Sequence, residues 1–191
     1  MAEHGGRSRE IHAALSRPLS WLSVRSGLDL GRRWLIWTLR GSDRAWLEAE
    51  ARAYVDRALV QRGRAGLLEA LRRNAQAGGA LVLASATLDP VARAFRDILS
   101  AQAAVSSQLA YDEYDRCLGR LDRDLTGQKW PEVRPLIASS SPEDVVLHTD
   151  NHEDLDLMRH AARTVFYGVP TPAMVREISS GRLTVVAEES L

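Results

Sequence analysis

The sequence lacks the features that announce several protein classes. It holds one cysteine, Cys117, among 191 residues. That excludes an intrachain disulfide framework and any cysteine-rich zinc site. It carries no net charge, because 25 Lys+Arg offset 25 Asp+Glu. No general field therefore draws it toward nucleic acid or an anionic lipid surface, and any charge preference must come from local patches. The same balance predicts marginal solubility near neutral pH. No stretch approaches the ~20 continuous apolar residues that cross a bilayer. Residues 1–10, MAEHGGRSRE, lack the apolar core of a secretory signal, so a cytoplasmic protein is expected. Lysine is nearly absent: of the 25 basic residues, only Lys129 is a lysine.

What is present is ordinary for a globular chain: 45% hydrophobic and 26% charged residues, with a length suited to one domain, or one domain with a small insertion. Residues 8–77 read as segmented helix. Short helices are predicted over Ser8–Ser16, Leu19–Ser26 and Asp29–Arg40, with longer ones over Asp43–Gln61 and Arg64–Ala77. Gly78-Gly79 breaks the pattern. Ala80–Ala84 is then a short apolar run of the kind found in strands buried on both faces. Asp89-Pro90 supplies an N-cap and a first-turn proline for a helix over Val91–Leu99.

Beyond it the spacing predicts strands at Ala103–Ser106, Val145–His148, Thr164–Tyr167 and Leu183–Ala187. Helices are predicted at Trp130–Ala138, Leu155–Arg163 and Thr171–Ser179, with a hairpin within Tyr111–Thr126. Strands alternating with helices imply a parallel sheet covered by helices, a three-layer Rossmann-like α/β fold. The chain thus divides into a tail at 1–10, expected to be disordered, a helical region at 11–77 and an α/β core at 78–191.

Three polar segments follow strands or open helices. In Ala84-Ser85-Ala86-Thr87, a hydroxyl beside free backbone N–H groups suits a phosphate oxygen, although Ser and Thr are also plain helix caps. In Gly127-Gln128-Lys129 the lone lysine is a compact point charge suited to a small phosphoryl group, or equally a solvated lysine at a helix start. In His148-Thr149-Asp150-Asn151-His152-Glu153-Asp154, Asp150 and Asp154 stand four apart across a strand-to-helix turn. Both carboxylates could serve Mg²⁺ with a substrate phosphate, or simply complement a helix dipole. On a continuing strand, His148, Asp150, His152 and Asp154 would instead share one face as a transition-metal site.

In this order the segments resemble the haloacid dehalogenase (HAD) superfamily, especially its phosphoserine-phosphatase-like branch. LVLAS (81–85) resembles its motif II, GQK (127–129) its motif III and TDNHEDLDLM (149–158) its motif IV. The resemblance covers about residues 80–170 and implies a Mg²⁺-dependent phosphomonoesterase acting on a phosphorylated small molecule. Ser85 and Ala86 would bind phosphoryl oxygens and Lys129 would neutralise the phosphoryl group. Asp150 would ligate Mg²⁺, and Asp154 would ligate it through water or orient its neighbours. The helices before residue 77 would be the cap.

The family's motif I, a buried strand ending in DxDxT that carries the nucleophile, has no counterpart in residues 1–10. Leu28-Asp29-Leu30-Gly31 imitates it without a preceding strand. The expectation is an inactive or truncated phosphohydrolase scaffold, or a non-catalytic relative kept for binding a phosphate ligand, a protein or a membrane surface. That strand belongs mid-sheet, so its loss predicts a gap, which would favour homo-oligomers.

Four of the five tryptophans, Trp21, Trp34, Trp37 and Trp46, lie in the first quarter of the chain. The arginine-flanked run at 32–40 either packs as a cap helix or docks on a partner or membrane surface.

Overall fold

The computed structural model describes residues 30–178 and 181–186. The expected helices at Ser8–Ser16 and Leu19–Ser26, together with Trp21 and Asp29, lie outside these residues. Three helices precede the first strand: α1 (Leu30–Thr38), α2 (Arg44–Arg62) and α3 (Ala65–Gln76). Asp43 starts α2 by accepting the Ala45 and Trp46 backbone N–H groups on one carboxylate oxygen, at 2.9 and 3.4 Å. After α3, Gly78 takes φ +78°, the left-handed backbone with which helices commonly end.

The strands are β1 (Val82–Leu88), β2 (Ala103–Tyr111), β3 (Cys117–Arg123), β4 (Val146–Thr149), β5 (Arg163–Tyr167) and β6 (Leu183–Val186). The later helices are α4 (Asp89–Ile98), α5 (Trp130–Val133), α6 (Leu155–Met158) and α7 (Pro172–Glu177). The strands form two three-stranded sheets, ordered β1-β2-β3 and β4-β5-β6. β1 pairs parallel with β2, β4 with β5, and β5 with β6. This is the expected mixed α/β fold with parallel sheets. β1 and β4 each lie at one end of a sheet. Among the described residues no strand pairs with their outer edges, and they do not pair with each other.

Several expected elements differ in detail. β1 runs four residues past Ala84, through a register irregularity between Ala84 and Leu88, and is half-buried along its length rather than fully buried. Leu88, not Asp89, occupies the N-cap of α4. Asp89 is the first helical residue and pairs with Arg93 at 2.5 Å. The helices expected over 130–138 and 155–163 shrink to single turns, the first passing into a 3₁₀ turn at Arg134–Ile137.

The chain separates into two compact units. The first contains, among described residues, 30–46 and 109–122. In it the Gly41 N–H donates to the Cys117 carbonyl at 2.7 Å, and the Cys117 N–H donates to the Ser42 carbonyl at 2.9 Å. The hairpin end of β2 and β3 is thereby laced to the segment after α1. Gly119 is required there: its φ is +68°, and a Cβ would come within 2.8 Å of the Arg40 Cβ. Ile36 is buried, whereas Leu35, Trp37 and Trp46 are more than half exposed.

The second unit contains residues 47–108 and those from 123 onward. Its apolar centre under the β4-β5-β6 sheet is Met158, Phe166, Met174 and Ile178, flanked by Leu147, Leu155 and Leu183.

Candidate functional site

All the residues singled out between Ser85 and Asp154 belong to the second unit. Lys129 is delivered by a turn. The Gln128 N–H closes on the Leu125 carbonyl at 3.2 Å, and Gly127 supplies the positive φ of +67° that such a turn asks of its third residue. The Lys129 and Trp130 N–H groups then both donate to Asp156 Oδ2, at 2.8 and 2.9 Å. One carboxylate thus caps α5. Trp130 stacks on His160, with centroids 3.9 Å apart, and fixes the same corner.

The Lys129 ammonium is buried, with a relative exposure of 4%. It forms an ion pair with Asp154 Oδ1, while the Thr149 hydroxyl donates to Asp154 Oδ2 at 2.7 Å. Thr149 ends β4 and Asp154 closes the 3₁₀ turn that follows, so the cluster stands at the carboxyl end of a parallel strand. Ligands of open α/β sheets collect at such ends. A buried charge is tolerated only when paired and hydrogen-bonded, and Asp154 meets that need for Lys129.

The other expected site residues stand apart from this cluster. Asp150, one residue past β4, is exposed and pairs with Arg64 at 3.3 Å. Ser85 lies in the middle of β1, and its hydroxyl accepts the Thr87 N–H at 3.1 Å. The Ala86 carbonyl accepts the Ser107 hydroxyl at 3.0 Å, and that hydroxyl in turn accepts the Leu125 N–H at 3.1 Å. The 124–129 segment therefore touches β1 and β2 through Ser107 at one end and the β4 terminus through Lys129 at the other. Lys129 is four residue steps on from Leu125, a reach of at most ~14 Å. Sequence reasoning passed over Ser107, Asp124 and Asp156. Two polar residues, Ser106-Ser107, inside a strand were the available signal for the first.

The alternating His/Asp reading fails because β4 ends at Thr149. His152 lies in the 3₁₀ turn, and its Nε2 is 2.9 Å from the Val169 carbonyl. Magnesium asks for oxygen donors, commonly one or two carboxylates plus substrate phosphate. Both oxygens of Asp154 are engaged, Asp150 is held by Arg64, and no cluster of three His, Cys, Asp or Glu side chains exists among the described residues.

Beside the cluster, His148 Nδ1 meets the Tyr167 hydroxyl at 3.0 Å, and the Arg64 guanidinium lies 5.3 Å from the Tyr167 ring centre. Burial, then the positive charge of Arg163, pushes the His148 pKa below its ordinary value. Burial raises that of Tyr167, against the opposing charge of Arg64. The unfolded chain therefore binds a proton at His148 more readily than the folded chain does. Its contribution to stability is complete above ~6.5 and is lost as the pH falls through that value toward the lower folded pKa. Urea denaturation at pH 7.5 and 5.5 should show a loss on acidification that is smaller in His148→Gln. An equal loss in both proteins would contradict the assignment.

Comparison with known proteins bears on this geometry. A family model described as haloacid dehalogenase-like hydrolase matches residues 2–159. Among proteins with curated functions, none matches the sequence. A solved protein of unknown function from Bordetella pertussis Tohama I is similar with a TM-score of 0.73 at 18% identity, covering 97% of this chain and 85% of that one. A HAD family hydrolase from Salmonella enterica serovar Typhi gives 0.68 at 18%, covering 90% of this chain. A probable phosphoserine phosphatase from Vibrio cholerae gives 0.67 at 16%, covering 93%. The chain spans 58% of the Salmonella protein's length and 53% of the Vibrio protein's. At these identities the likeness establishes the fold.

Proposed function

Because the chain belongs to the haloacid dehalogenase-like hydrolase family, we propose that it is a phosphomonoesterase scaffold that grips a phosphorylated small molecule without turning it over. One observation carries this reading. The sequence's single lysine is buried at the carboxyl end of a parallel strand, and its described ionic partner is Asp154.

An ammonium in that place attracts a phosphoryl group. Asp154, held from both sides by Lys129 and Thr149, orients the ammonium and is not aimed outward as a nucleophile. Ser85 and Ala86, in the middle of β1, are proposed to supply a hydroxyl and a backbone N–H for phosphoryl oxygens. Asp150 offers an exposed carboxylate just past β4. Magnesium enters only as a weakly held companion of the ligand. Among the described residues, Asp154 is the carboxylate ion-paired with the Lys129 ammonium, and in this reading it positions the ammonium and does not attack phosphorus. The name of the Vibrio neighbour supports a small phosphate monoester as the ligand class. Residues 11–77 are proposed as the cap-like region and residues 78–191 as the HAD-like core.

The purified chain should release no nitrophenol from p-nitrophenyl phosphate above the blank rate, with or without Mg²⁺. Magnesium-dependent hydrolysis that disappears in Asp29→Asn would overturn the reading and make Asp29 the attacking group.

A further inference from the structure

A second polar cleft lies in the same unit, away from Lys129. It encloses about 190 Å³ and is lined by Asp89, Arg93, Arg96, Ser106, Gln108 and Arg123, together with Ala104 and Val105. Its construction follows from two periodicities. Asp89, Arg93 and Arg96 recur at i, i+4 and i+7 along one face of α4. Ala104, Ser106 and Gln108 alternate along β2 and share one face of the sheet. Ser107 points the other way, toward Asp124 and Ala86. Where a helix and a sheet would ordinarily exchange apolar side chains, this face offers guanidiniums, a hydroxyl and an amide.

Two observations point to a ligand here. Ser106 is buried, with a relative exposure of 7%, lines the cleft, and makes no side-chain hydrogen bond among the described residues. The Nε atoms of Arg93 and Arg123 are also buried without an acceptor. The arginines are not idle. Arg93 pairs with Asp89 at 2.5 Å and Glu48 at 3.3 Å, Arg96 with Asp97 at 2.6 Å, and Arg123 with Glu132 at 2.7 Å. Each guanidinium carries five N–H donors in a planar fork, so these pairs hold the forks in place and leave donors over. Four carboxylates, Asp89, Glu48, Asp97 and Glu132, pair with the three arginines, so what the cleft offers a ligand is oriented N–H donors and not a net positive charge.

We propose that this cleft is a binding site for a small phosphate-type oxyanion, separate from the Lys129 cluster. The oxyanion accepts from the outer guanidinium N–H groups of Arg93, Arg96 and Arg123 that their ion pairs leave over, and from the Ser106 hydroxyl. Its tetrahedral oxygens match donors converging from a helix face, a strand face and a strand end. The source is either free phosphate or the phosphate of a monoester.

Calorimetric titration of the whole chain tests it, with inorganic phosphate in one arm and glycerol phosphate in the other, at constant ionic strength set with chloride. Arg96→Gln and Arg123→Lys should each weaken phosphate binding at this site about tenfold, the worth of one charge-assisted hydrogen bond. Ser106→Ala should weaken it less, and Arg72→Gln, at an exposed arginine of α3, should leave it unchanged. Arg123→Lys keeps its ion pair with Glu132, so it reports binding even if a neutral substitution perturbs folding. If inorganic phosphate binds and the ester does not, the ligand is free phosphate. Equal binding of both means that a phosphate monoester end is enough. Wild-type isotherms in both arginine variants, or no phosphate binding once chloride is matched, would overturn the proposal. Phosphate binding sensitive to Ser85 but indifferent to Arg96 would overturn it too, while leaving the Lys129 reading intact.

Discussion

Lys129→Met is expected to destabilise the chain by about 3–5 kcal/mol, the usual consequence of removing one partner from a buried ion pair. The substitution keeps most of the side-chain volume, so the loss comes from charge and not from a cavity. It leaves Asp154 buried, with only the Thr149 hydroxyl to satisfy it. For a chain of this length the thermal midpoint should fall by roughly 10 °C, as read by circular dichroism. The double variant Lys129→Met, Asp154→Leu should recover most of the loss, because replacing both members of such a pair with apolar groups is often neutral. A single variant within ~1 kcal/mol of the parent, the range of exposed pairs, would show that the pair is open to water and that the ammonium is not held as described.

The second large effect belongs to Phe166. This side chain is fully buried in the middle of β5 and packs with Met158, Met174 and Ile178. Phe166→Ala should cost about 3–5 kcal/mol, the range for deleting a buried aromatic ring and leaving part of its volume empty. Its register gives it a further consequence. Phe166 pairs directly with Thr149 on β4, and Thr149 holds Asp154. Hydrogen exchange should therefore show faster exchange at the end of β4, as well as the global loss. Unchanged protection at Thr149 beside a large fall in stability would separate the core from the site.

The parallel α/β character was legible because its signals are local. Apolar runs at 81–84, 145–147 and 164–167 stand between helical stretches with turn residues around them, and each became a strand within a residue or two of its expected start. Lys129 and Asp154 were legible for different reasons. The first is the chain's sole lysine, and the second follows a buried-type strand. Their pairing was not legible, since it depends on the Leu125–Gln128 turn and on Asp156 capping α5, both settled by tertiary contacts. Arg64 gave no signal either. It lies in the short connection between α2 and α3, and only the fold brings it to Asp150 and Tyr167. The register irregularity that carries β1 past Ala84 placed Ser85 inside a strand, where the sequence alone pointed to a strand end. The arginine cleft was invisible because a helical period and a strand period, each unremarkable, had to be laid against each other to form it.

A phosphoryl grip with no attacking group has two signatures, and phosphorus NMR of a small phosphate monoester mixed with the chain and Mg²⁺ reads both at once. The ester resonance should broaden with added protein, lose part of that broadening in Lys129→Gln, and persist without an inorganic phosphate signal growing beside it. A growing inorganic phosphate resonance, or an ester line indifferent to the loss of Lys129, would contradict it.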